Sequence, residues 1–453
     1  MLRSDALAIW HAGLEAVRSE RLVRRALRVE GATLAVGAER LPLGSIGRIA
    51  VVGAGKAGAG MAAAVEDLLG PRLMQEKQLT GWVNVPADCV RPLERIHLHP
   101  ARPAGVNEPT PAGAAGSLEI LRLVQSLQVQ DLCLCLISGG GSALLPAPAD
   151  GITLADKLAV TRHLSAAGAT IEELNAVRKA LSRIKGGGLA RACRAGRLVA
   201  LVISDVLGDP LGLIASGPTV EDPTPPDAAL EVLRRFSAFQ AGISTRVLDH
   251  LQARRNPLPP PQCRVTNLVI GNNATAVEAA GQEARRRGYN PATESAERSE
   301  GSAEEVGRRL AAAALAMRAG EGPDCTVSGG EPVVRLVEPA RRGLGGRNQQ
   351  LVLAALEALA GDGAAGIALL SGGTDGEDGP TDAAGAVLDA ELLSAARRRG
   401  LDPADFLARN DAYHFFAPLG GLLVTGPTHT NVCDLRVVLA GPKTNVAGTR
   451  RVP

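Results

Sequence analysis

The sequence predicts an α/β protein with largely parallel sheets. Short apolar runs alternate with helical stretches rich in Ala, Leu, Glu and Arg, which is the pattern of strands and their covering helices in α/β folds. Each apolar run ends in Gly, Ser, Asn, Thr or Asp, and open α/β sheets bind ligands at the carboxyl ends of their strands. In chain order, the predicted strands are RIAVVGAG, DLCLCLISGGG, RLVALVISD, TNLVIGNN, DCTVSGGE, GIALLSGGTDG and GLLVTGPT.

Length and one proline-rich stretch predict two domains. A chain of 453 residues is long for a single hydrophobic core. The stretch RRNPLPPPQCR, residues 254–264, cannot continue a helix or a central strand because of its consecutive prolines. We therefore expect domains at residues 1–258 and 259–453. In the second domain, EPVVRLV is expected to form a strand, and a helix is expected to begin near Gln349.

Composition narrows the class of protein. Hydrophobic residues make up 45% of the chain and charged residues 21%, which is ordinary for a globular enzyme. Aromatic residues make up only 2%, so the chain lacks the stacking platforms of single-stranded nucleic-acid binders. The net charge is +2, no apolar run reaches transmembrane length, and the seven cysteines have no zinc-finger spacing. Asp5, Glu15 and Glu20 argue against a signal or transit peptide. We expect a cytoplasmic monomer or homodimer that binds neither nucleic acid nor membranes.

Lysine is rare in this chain, so its positions are informative. Only six of the 49 Lys and Arg residues are lysines. Lys56 lies in GAGKAG, and Lys179 and Lys185 lie in NAVRKALSRIKGGG. A flexible ammonium among glycine backbone amides is a common way to bind phosphate. These three lysines are therefore candidate phosphate-binding residues, with an ordinary solvated role as the alternative.

The GAGKAG segment matches a dinucleotide-binding pattern in form. Gly53, Gly55 and Gly58 fill G-x-G-x-x-G between a predicted strand and a predicted helix over residues 61–69. However, Lys56 stands where a backbone must approach a pyrophosphate, and the next strand, LTGWVNV, ends without a well-placed acidic residue. We therefore favour a helix N-terminus that receives a carboxylate or phosphate beside Lys56.

The segment ISGGGSALL is the strongest phosphate-loop candidate. Gly139, Gly140 and Gly141 allow backbone amides to converge on an anion, and Ser138 and Ser142 add hydroxyl groups. The segment is not a Walker A loop, because no G-K-[ST] follows. It also has no G-x-S-x-G frame, so a serine hydrolase is not expected.

Carboxylates at strand ends are candidate metal ligands. Asp205 ends the run RLVALVISD, where it could bind Mg²⁺ together with substrate oxygens or take a hydroxyl proton. The segment SGGTDGEDGPTDAAG lacks the full frame of a calcium loop, but several acids in it could help to hold a metal. These acids are Asp375, Glu377, Asp378 and Asp382.

Arg347 lies between the glycine turn and the predicted helix in GLGGRNQQ. A planar guanidinium can bind a carboxylate in a two-pronged contact or stabilise a transferring phosphoryl group. A surface arginine that caps the helix is the alternative. The histidines are isolated or share a strand face, as His97 and His99 do, and we expect them to be structural.

These motifs, taken in order, resemble the class II glycerate kinases, the glycerate 2-kinase group whose C-terminal part is called the MOFRL domain. The resemblance covers nearly the whole chain. It rests on VVGAGKAG, ISGGGSALL, LNAVRKALSRIKGGGLA, ISDVLGDPLGLIASGPT, SGGE, GGRNQ, SGGTDGEDGPTDAAGA and TGPTHTNVCDL.

The resemblance implies a reaction and a set of site residues. It implies ATP-dependent phosphorylation of D-glycerate on its 2-hydroxyl with a divalent metal, Mg²⁺ by default. It also implies a Rossmann-like, doubly wound N-terminal domain, a smaller α/β C-terminal domain and an active site in the cleft. Lys56, Arg347 and Asp205 are the expected catalytic residues, and Asp205 and Asp375 the expected metal ligands. The expected substrate- or phosphate-binding residues are Gly55, Ser138, Gly139, Gly140, Gly141, Ser142, Arg178, Lys185 and Asn348.

The chain departs from the family pattern at three places. His99-Pro100-Ala101-Arg102-Pro103 replaces a common His-Pro-x-Pro-Asp, and His429 and Cys433 stand where Gly and Asn are common. These departures affect substrate preference more than reaction type. An NAD(P)H-dependent hydroxypyruvate reductase is the alternative enzyme, and a non-catalytic metabolite-binding protein is the third hypothesis.

Overall fold

A computed structural model describes residues 1–253, 259–320 and 322–441. The chain forms two compact units that do not coincide with the predicted domains. The first unit is Ser19–Ile270, and the second unit combines Met1–Arg18 with Gly271–Pro453. Of the predicted linker, residues 254–258 lie outside the described residues, and the rest leads into a strand of the first unit. The prolines therefore interrupt the first unit instead of joining the two units.

The strands confirm every predicted run except EPVVRLV, which makes only an isolated bridge between Val333 and Ser302. The strands are β1 (Leu27–Glu30), β2 (Thr33–Val36), β3 (Glu39–Pro42), β4 (Ile49–Ala54), β5 (Thr80–Pro86), β6 (Ile96–Arg102), β7 (Leu132–Ile137), β8 (Arg197–Ile203), β9 (Arg264–Gly271), β10 (Pro291–Ser295), β11 (Cys325–Gly330), β12 (Ile367–Gly373), β13 (Gly385–Asp389), β14 (Leu422–Leu423) and β15 (Asp434–Ala440).

The helices lie mostly between strands, as the alternating pattern predicts. They are α1 (Leu2–Ala16), α2 (Ser19–Ala26), α3 (Gly58–Glu76), α4 (Pro111–Gln125), α5 (Gly141–Leu144), α6 (Leu154–Ala166), α7 (Ile171–Ala180), α8 (Gly188–Ala192), α9 (Ala228–Arg235), α10 (Thr245–Ala253), α11 (Asn273–Arg286), α12 (Ala303–Arg318), α13 (Arg347–Ala358), α14 (Ala390–Arg398), α15 (Pro403–Ala408) and α16 (Ala412–Phe416). No helix in the described ranges is both long and apolar enough to cross a membrane.

Local sequence explains where several helices begin. α6, α7 and α12 each start with a capping box, in which a Thr or Ser side chain and an acidic side chain three residues later satisfy each other's backbone amides. α4 begins at Pro111, after Thr110 accepts a hydrogen bond from the Gly113 amide. These caps end the preceding loops at defined residues and so fix the direction of each helix.

The first unit contains a six-stranded sheet of order β6-β5-β4-β7-β8-β9, and the pairs from β6 through β8 are parallel. This order is the one found in doubly wound Rossmann-type sheets, and the strand order reverses between β4 and β7. Cys133 and Cys135 of β7 are fully buried in its core. A small antiparallel sheet, β1-β2-β3, is also part of this unit.

The second unit contains a six-stranded sheet of order β10-β11-β15-β12-β13-β14. Only the β10–β11 pair is parallel, so the expectation of largely parallel sheets is wrong for this unit. The physical reason is that β15, the last strand in the chain, runs antiparallel to both of its neighbours in the middle of the sheet. α1 belongs to this unit because Trp10 is fully buried and its indole N–H donates to the Leu435 carbonyl at 3.0 Å.

Candidate active site

The site in the first unit lies where the strand order of the sheet reverses. β4 and β7 are adjacent and parallel, with Ile49 paired to Leu132 and Ala54 to Ile137, so the loops that follow them lie side by side. The Lys56 amide donates to the Gly139 carbonyl at 2.9 Å and so joins the two loops directly. The structure therefore brings GAGKAG and ISGGGSALL together, at the edge where doubly wound sheets bind ligands.

Close packing between these loops explains two of the glycines. A Cβ atom on Gly53 would lie 2.0 Å from the Leu136 carbonyl oxygen, and one on Gly55 would lie 2.0 Å from the Ser138 hydroxyl. Gly55 also has a φ of 148°, which favours glycine. A side chain at either position would force the two strands apart. Gly53 and Gly55, two glycines of the dinucleotide pattern, thus allow the two protein segments to pack closely.

The start of α3 is already satisfied by protein groups. The Lys56 amide donates to Gly139, the Ala57 amide donates to the buried Ser138 hydroxyl at 3.0 Å, and the Gly58 amide donates to Gly55 at 3.1 Å. In a dinucleotide site, amides at this point bind the pyrophosphate. This arrangement does not support the expected anion at these three amides, and it gives Ser138 the role of connecting the loops.

Two cationic side chains flank Gly140. A Cβ atom on Gly140 would lie 3.2 Å from Arg102 Nη2 and 3.7 Å from Lys56 Cγ, and Gly140 has a left-handed φ of 76°. Lys56 is half-buried. Arg102 is one of the positions at which the sequence departs from the family pattern, and sequence reasoning gave it no role. Its placement adds a second positive charge beside the glycine loop.

Next to this loop, two cations share one serine hydroxyl. Lys185 Nζ lies 2.8 Å from Ser142 Oγ and 2.7 Å from the Ser142 carbonyl oxygen, and Arg178 Nη2 lies 2.5 Å from the same Oγ. The Ser142 and Ser216 hydroxyls are 2.9 Å apart, and Lys185 Nζ also reaches Ser216 Oγ at 3.4 Å. We call Ser142, Arg178, Lys185 and Ser216 the cation cluster.

The turn that carries Ser216 is held in an unfavourable backbone conformation. Ala215 and Ser216 have left-handed φ values of 51° and 61°, although neither is glycine. Each such backbone conformation costs on the order of 1–3 kcal/mol of stability and persists where the surrounding structure requires it. Here the Gly186 and Gly187 amides donate to the Ser216 and Gly217 carbonyls at 2.9 and 2.7 Å. The RIKGGG and IASG segments therefore hold Lys185 beside Ser216.

Burial lowers the pKa values of the basic side chains in and beside the cation cluster. Burial lowers the pKa of Arg178, and it lowers the pKa of Lys185 well below its usual value, with further lowering by the charges of Arg178 and Lys157. Burial and the charge of Arg178 lower the pKa of Lys157 to about 7. Lys157 donates to the Leu181 carbonyl at 2.8 Å. Lys179, a predicted phosphate-binding candidate, instead forms a buried ion pair with Asp222 at 3.2 Å.

In the second unit, a fork of hydrogen bonds holds Arg347. Its Nε and Nη2 donate to the two carboxylate oxygens of Asp434 at 2.7 and 3.0 Å, and its Nη1 donates to Glu331 at 2.9 Å. Asp434 is fully buried, whereas the Arg347 side chain is 33% exposed. The guanidinium is therefore fixed in orientation, with one side accessible to solvent.

A second buried carboxylate fixes the start of α13. Asp378 accepts hydrogen bonds from the Asn348 and Gln349 amides at 3.0 and 2.8 Å, which caps the helix that begins at Arg347. The Asn348 side chain donates to Asp434 at 3.0 Å, so Asn348 supports Arg347 from within the protein. Burial raises the pKa of Asp378 to about 7, although the two amides favour its charged form.

The predicted metal ligands are not part of a larger ligand group. Asp205 follows the carboxyl end of β8, and Asp375 follows the carboxyl end of β12. Across the described ranges, no group of three or more His, Cys, Asp or Glu side chains could hold a metal. Of the other predicted acids, Asp378 caps α13 and Asp382 accepts a hydrogen bond from the Tyr413 hydroxyl at 2.9 Å. These carboxylates fit only an ion held mainly by substrate oxygens and water.

The structure thus brings together Gly55, Lys56, Ser138, Gly139, Gly140, Gly141, Ser142, Arg178 and Lys185 within the first unit. Within the second unit it brings together Arg347 and Asn348. Sequence reasoning missed Ser216, Lys157, Glu331 and Asp434. The rarity of lysine was the available signal for Lys157, and the motifs IASGPT, SGGE and VCDL contain the other three.

The doubly wound sheet of the first unit places the protein in the α/β class. The family described as a domain of unknown function, DUF4147, matches residues 5–252, and the MOFRL family matches residues 324–434. The glycerate kinase of Danio rerio is 38% identical, with 97% of this chain and 98% of that protein covered. A protein of Agrobacterium vitis with a provisional hydroxypyruvate reductase name is 40% identical, with 87% of this chain and all of that protein covered.

A solved structure agrees with these relatives. The crystal structure of glycerate kinase from Thermotoga maritima matches with a TM-score of 0.83 at 34% sequence identity, covering 97% of this chain and 99% of that one. The chain therefore belongs to the glycerate kinase family with a C-terminal MOFRL domain.

Proposed function

We propose that this protein transfers the γ-phosphoryl group of ATP to the 2-hydroxyl of D-glycerate, giving 2-phosphoglycerate and ADP. The observation that carries the proposal is the cation cluster beside the Lys56 loop, at the edge of the sheet where the strand order reverses. Phosphoryl transfer depends mainly on positioning and on stabilising negative charge, and these loops offer fixed positive charge. The family membership supports the same reaction class.

The residues of the first unit have separate roles in this proposal. The half-buried Lys56 stabilises the charge of the transferring phosphoryl group, and the cation cluster binds the anionic acceptor. The substrate hydroxyl oxygen forms a bond to the γ-phosphorus as the bond from phosphorus to the bridging oxygen breaks. The hydroxyl proton leaves to a base, and Asp205 at the end of β8 is the proposed acceptor of this proton or the group that orients the hydroxyl.

Arg347 supplies a pre-oriented guanidinium in the second unit. Asp434 and Glu331 take three of its N–H groups, so its direction is set before any ligand binds. Planar two-pronged contact with a phosphate is the chemistry that guanidinium groups favour. We propose that Arg347 contacts the phosphates of ATP.

Mg²⁺ is a proposed cofactor. When bound, it would neutralise charge on the nucleotide phosphates, with Asp205 or Asp375 as a single protein ligand and substrate oxygens as the rest.

The alternative reaction, reduction of hydroxypyruvate with NAD(P)H, has less support from the site. The amides of Lys56, Ala57 and Gly58 already donate to protein groups, and Ser138 occupies the space over Gly55 where a pyrophosphate would approach. The provisional name of the Agrobacterium vitis relative is the only support that this alternative has from the named relatives above.

The deciding experiment is a coupled ADP-release assay with D-glycerate and ATP, in which ³¹P NMR identifies the phosphoglycerate isomer. We expect ADP release that depends on glycerate, and the 2-phospho isomer as product. A parallel assay follows NADH and NADPH absorbance with hydroxypyruvate. Absorbance loss without ADP release would overturn the proposal in favour of the reductase. Glycerate binding without either reaction would identify a binding protein, and the 3-phospho isomer would correct the position of transfer.

A further inference from the structure

We propose that the cation cluster is the subsite for the carboxylate of the acceptor substrate, and not for the phosphates of the nucleotide. This inference rests on the proposed function and specifies which group of glycerate is bound, and by which residues. It starts from an imbalance of charge. Arg178, Lys185 and the neighbouring Lys157 form no ion pair with a carboxylate anywhere in the described part of the chain.

Buried cations without counterions are unusual. Lys185 is 3% exposed and Lys157 is 7% exposed, and Arg178 is half-buried. Buried charges in proteins are normally paired, because removing a charge from water is costly, and the lowered pKa values of Lys185 and Lys157 reflect burial without a counterion. The nearby Lys179 shows the ordinary solution, since it pairs with Asp222 at 3.2 Å. An anionic ligand at the cluster would pair with Arg178 and restore the charged form of Lys185.

The hydrogen bonds identify where this ligand would bind. Both Arg178 and Lys185 donate to Ser142 Oγ, a neutral oxygen that can balance neither charge. Ser142 can then donate to Ser216, and Ser216 can donate to Asn175 Oδ1 at 3.4 Å. The Arg178 and Lys185 donors thus meet at Ser142 Oγ, with the Ser216 hydroxyl 2.9 Å from it. A carboxylate bound beside Ser142 could accept from Arg178 with one oxygen and from Lys185 with the other.

The size and chemistry of the cluster favour a carboxylate over a polyphosphate. Ser216 is 1% exposed, and a Cβ atom on Gly141 would lie 2.9 Å from Ala215 Cβ, so this side of the cluster is buried and closely packed. Nucleotide phosphates are usually bound together with Mg²⁺, which requires carboxylate or other oxygen ligands. The cluster offers cationic donors and hydroxyls, a set that binds an anion directly. The strained turn at Ser216 adds rigidity at this point.

The test measures binding of D-glycerate and of glyceramide, its neutral amide, by isothermal titration calorimetry. Both are titrated with and without a non-hydrolysable ATP analogue, into the wild type, Arg178→Met and Ser216→Ala. The control is Arg183→Met, which removes an arginine from the same segment whose ion pair with Asp150 is exposed. The Michaelis constants for glycerate and ATP are measured on the same samples.

We expect the wild type to bind glycerate at least tenfold more tightly than glyceramide. Arg178→Met should weaken glycerate binding by about ten- to a hundredfold, change glyceramide binding less than about twofold and leave the Michaelis constant for ATP unchanged. Arg183→Met should match the wild type. Ser216→Ala removes one hydroxyl and no charge, and it should weaken glycerate binding by about three- to tenfold. This second variant keeps the test decisive if Arg178→Met fails to fold.

Equal wild-type affinity for glycerate and glyceramide would overturn the inference. So would a variant that loses ATP affinity while keeping glycerate affinity, because the cluster would then bind nucleotide phosphate. Calorimetry measures binding alone, so the test of the carboxylate subsite does not depend on whether the enzyme catalyses ADP release. Selective glycerate binding without ADP release would support the subsite and contradict the proposed function, and ADP release without carboxylate selectivity would do the reverse.

Discussion

Replacing Arg347 with lysine tests whether a planar fork is required at that position. The change keeps the positive charge but removes the geometry with which Arg347 donates to both oxygens of Asp434 and to Glu331. An ammonium can approach Asp434 or Glu331, but it cannot reproduce three donors in one plane. At least one hydrogen bond between charged groups is lost, which costs about 1.5–3 kcal/mol. If Arg347 makes a charged contact of similar strength to the transferring phosphoryl group, the loss of that contact should lower the rate roughly ten- to a hundredfold.

The assay measures the turnover number and the Michaelis constants for glycerate and ATP separately, together with the thermal unfolding temperature. A suitable control is Arg308→Lys, because Arg308 is an exposed arginine of the same unit with a long ion pair to Glu357 at 3.7 Å. The control should change none of these quantities appreciably. If Arg347→Lys leaves the turnover number and both Michaelis constants unchanged, Arg347 is a structural residue that only connects Asp434 and Glu331.

Three further predictions concern other residues of the site. Lys56→Ala should lower the turnover number about a hundred- to a thousandfold with an unchanged unfolding temperature, because it removes a half-buried charge and little core volume; near-normal kinetics would mean that Lys56 is a solvated residue. Activity should disappear in excess chelator and return with Mg²⁺, and Asp205→Asn should raise the Mg²⁺ concentration needed for half-maximal activity; an unchanged requirement would exclude Asp205 alone as the ligand. Asp378→Asn should flatten the pH dependence of stability between about pH 4 and 7. Because the folded pKa is raised to about 7, the folded state keeps a proton that the unfolded state loses, and the free energy of unfolding should fall with rising pH in this range by up to about 1.4 kcal/mol per pH unit. Urea denaturation of both proteins at pH 5 and pH 8 measures the difference, and parallel pH profiles would contradict the assignment.

The local parts of the first unit could be predicted from the sequence. Apolar runs that end in glycine predicted β4 and β7, and their loops carry Lys56 and Ser142 as expected. The sequence could not predict which backbone amides would donate hydrogen bonds to protein groups and so be unavailable to a ligand. Ser138 is a good phosphate ligand by residue type, but it accepts a hydrogen bond from Ala57 because β4 and β7 pair directly.

Non-local partners account for most of the missed features. Asp434 begins β15, and it contacts Arg347 only because that late strand enters the middle of the second sheet. The unusual backbone at Ser216 depends on hydrogen bonds from Gly186, which lies 30 positions earlier in the chain. The short apolar run of β15 carried no sign of its direction. Strand order and direction arise from tertiary packing, which periodicity alone does not encode.

The packing of α1 has a consequence for how the protein is made. Trp10 and Leu435 are 425 residues apart, and ribosomes add about 5–20 residues per second. Roughly 20 to 90 seconds therefore pass between the synthesis of Trp10 and that of its partner strand. All of the first unit is synthesised in this interval, and so are α11 and β12, which also pack against α1. A nascent chain that stalls before residue 434 would still lack β15, the strand that accepts the hydrogen bond of the Trp10 indole.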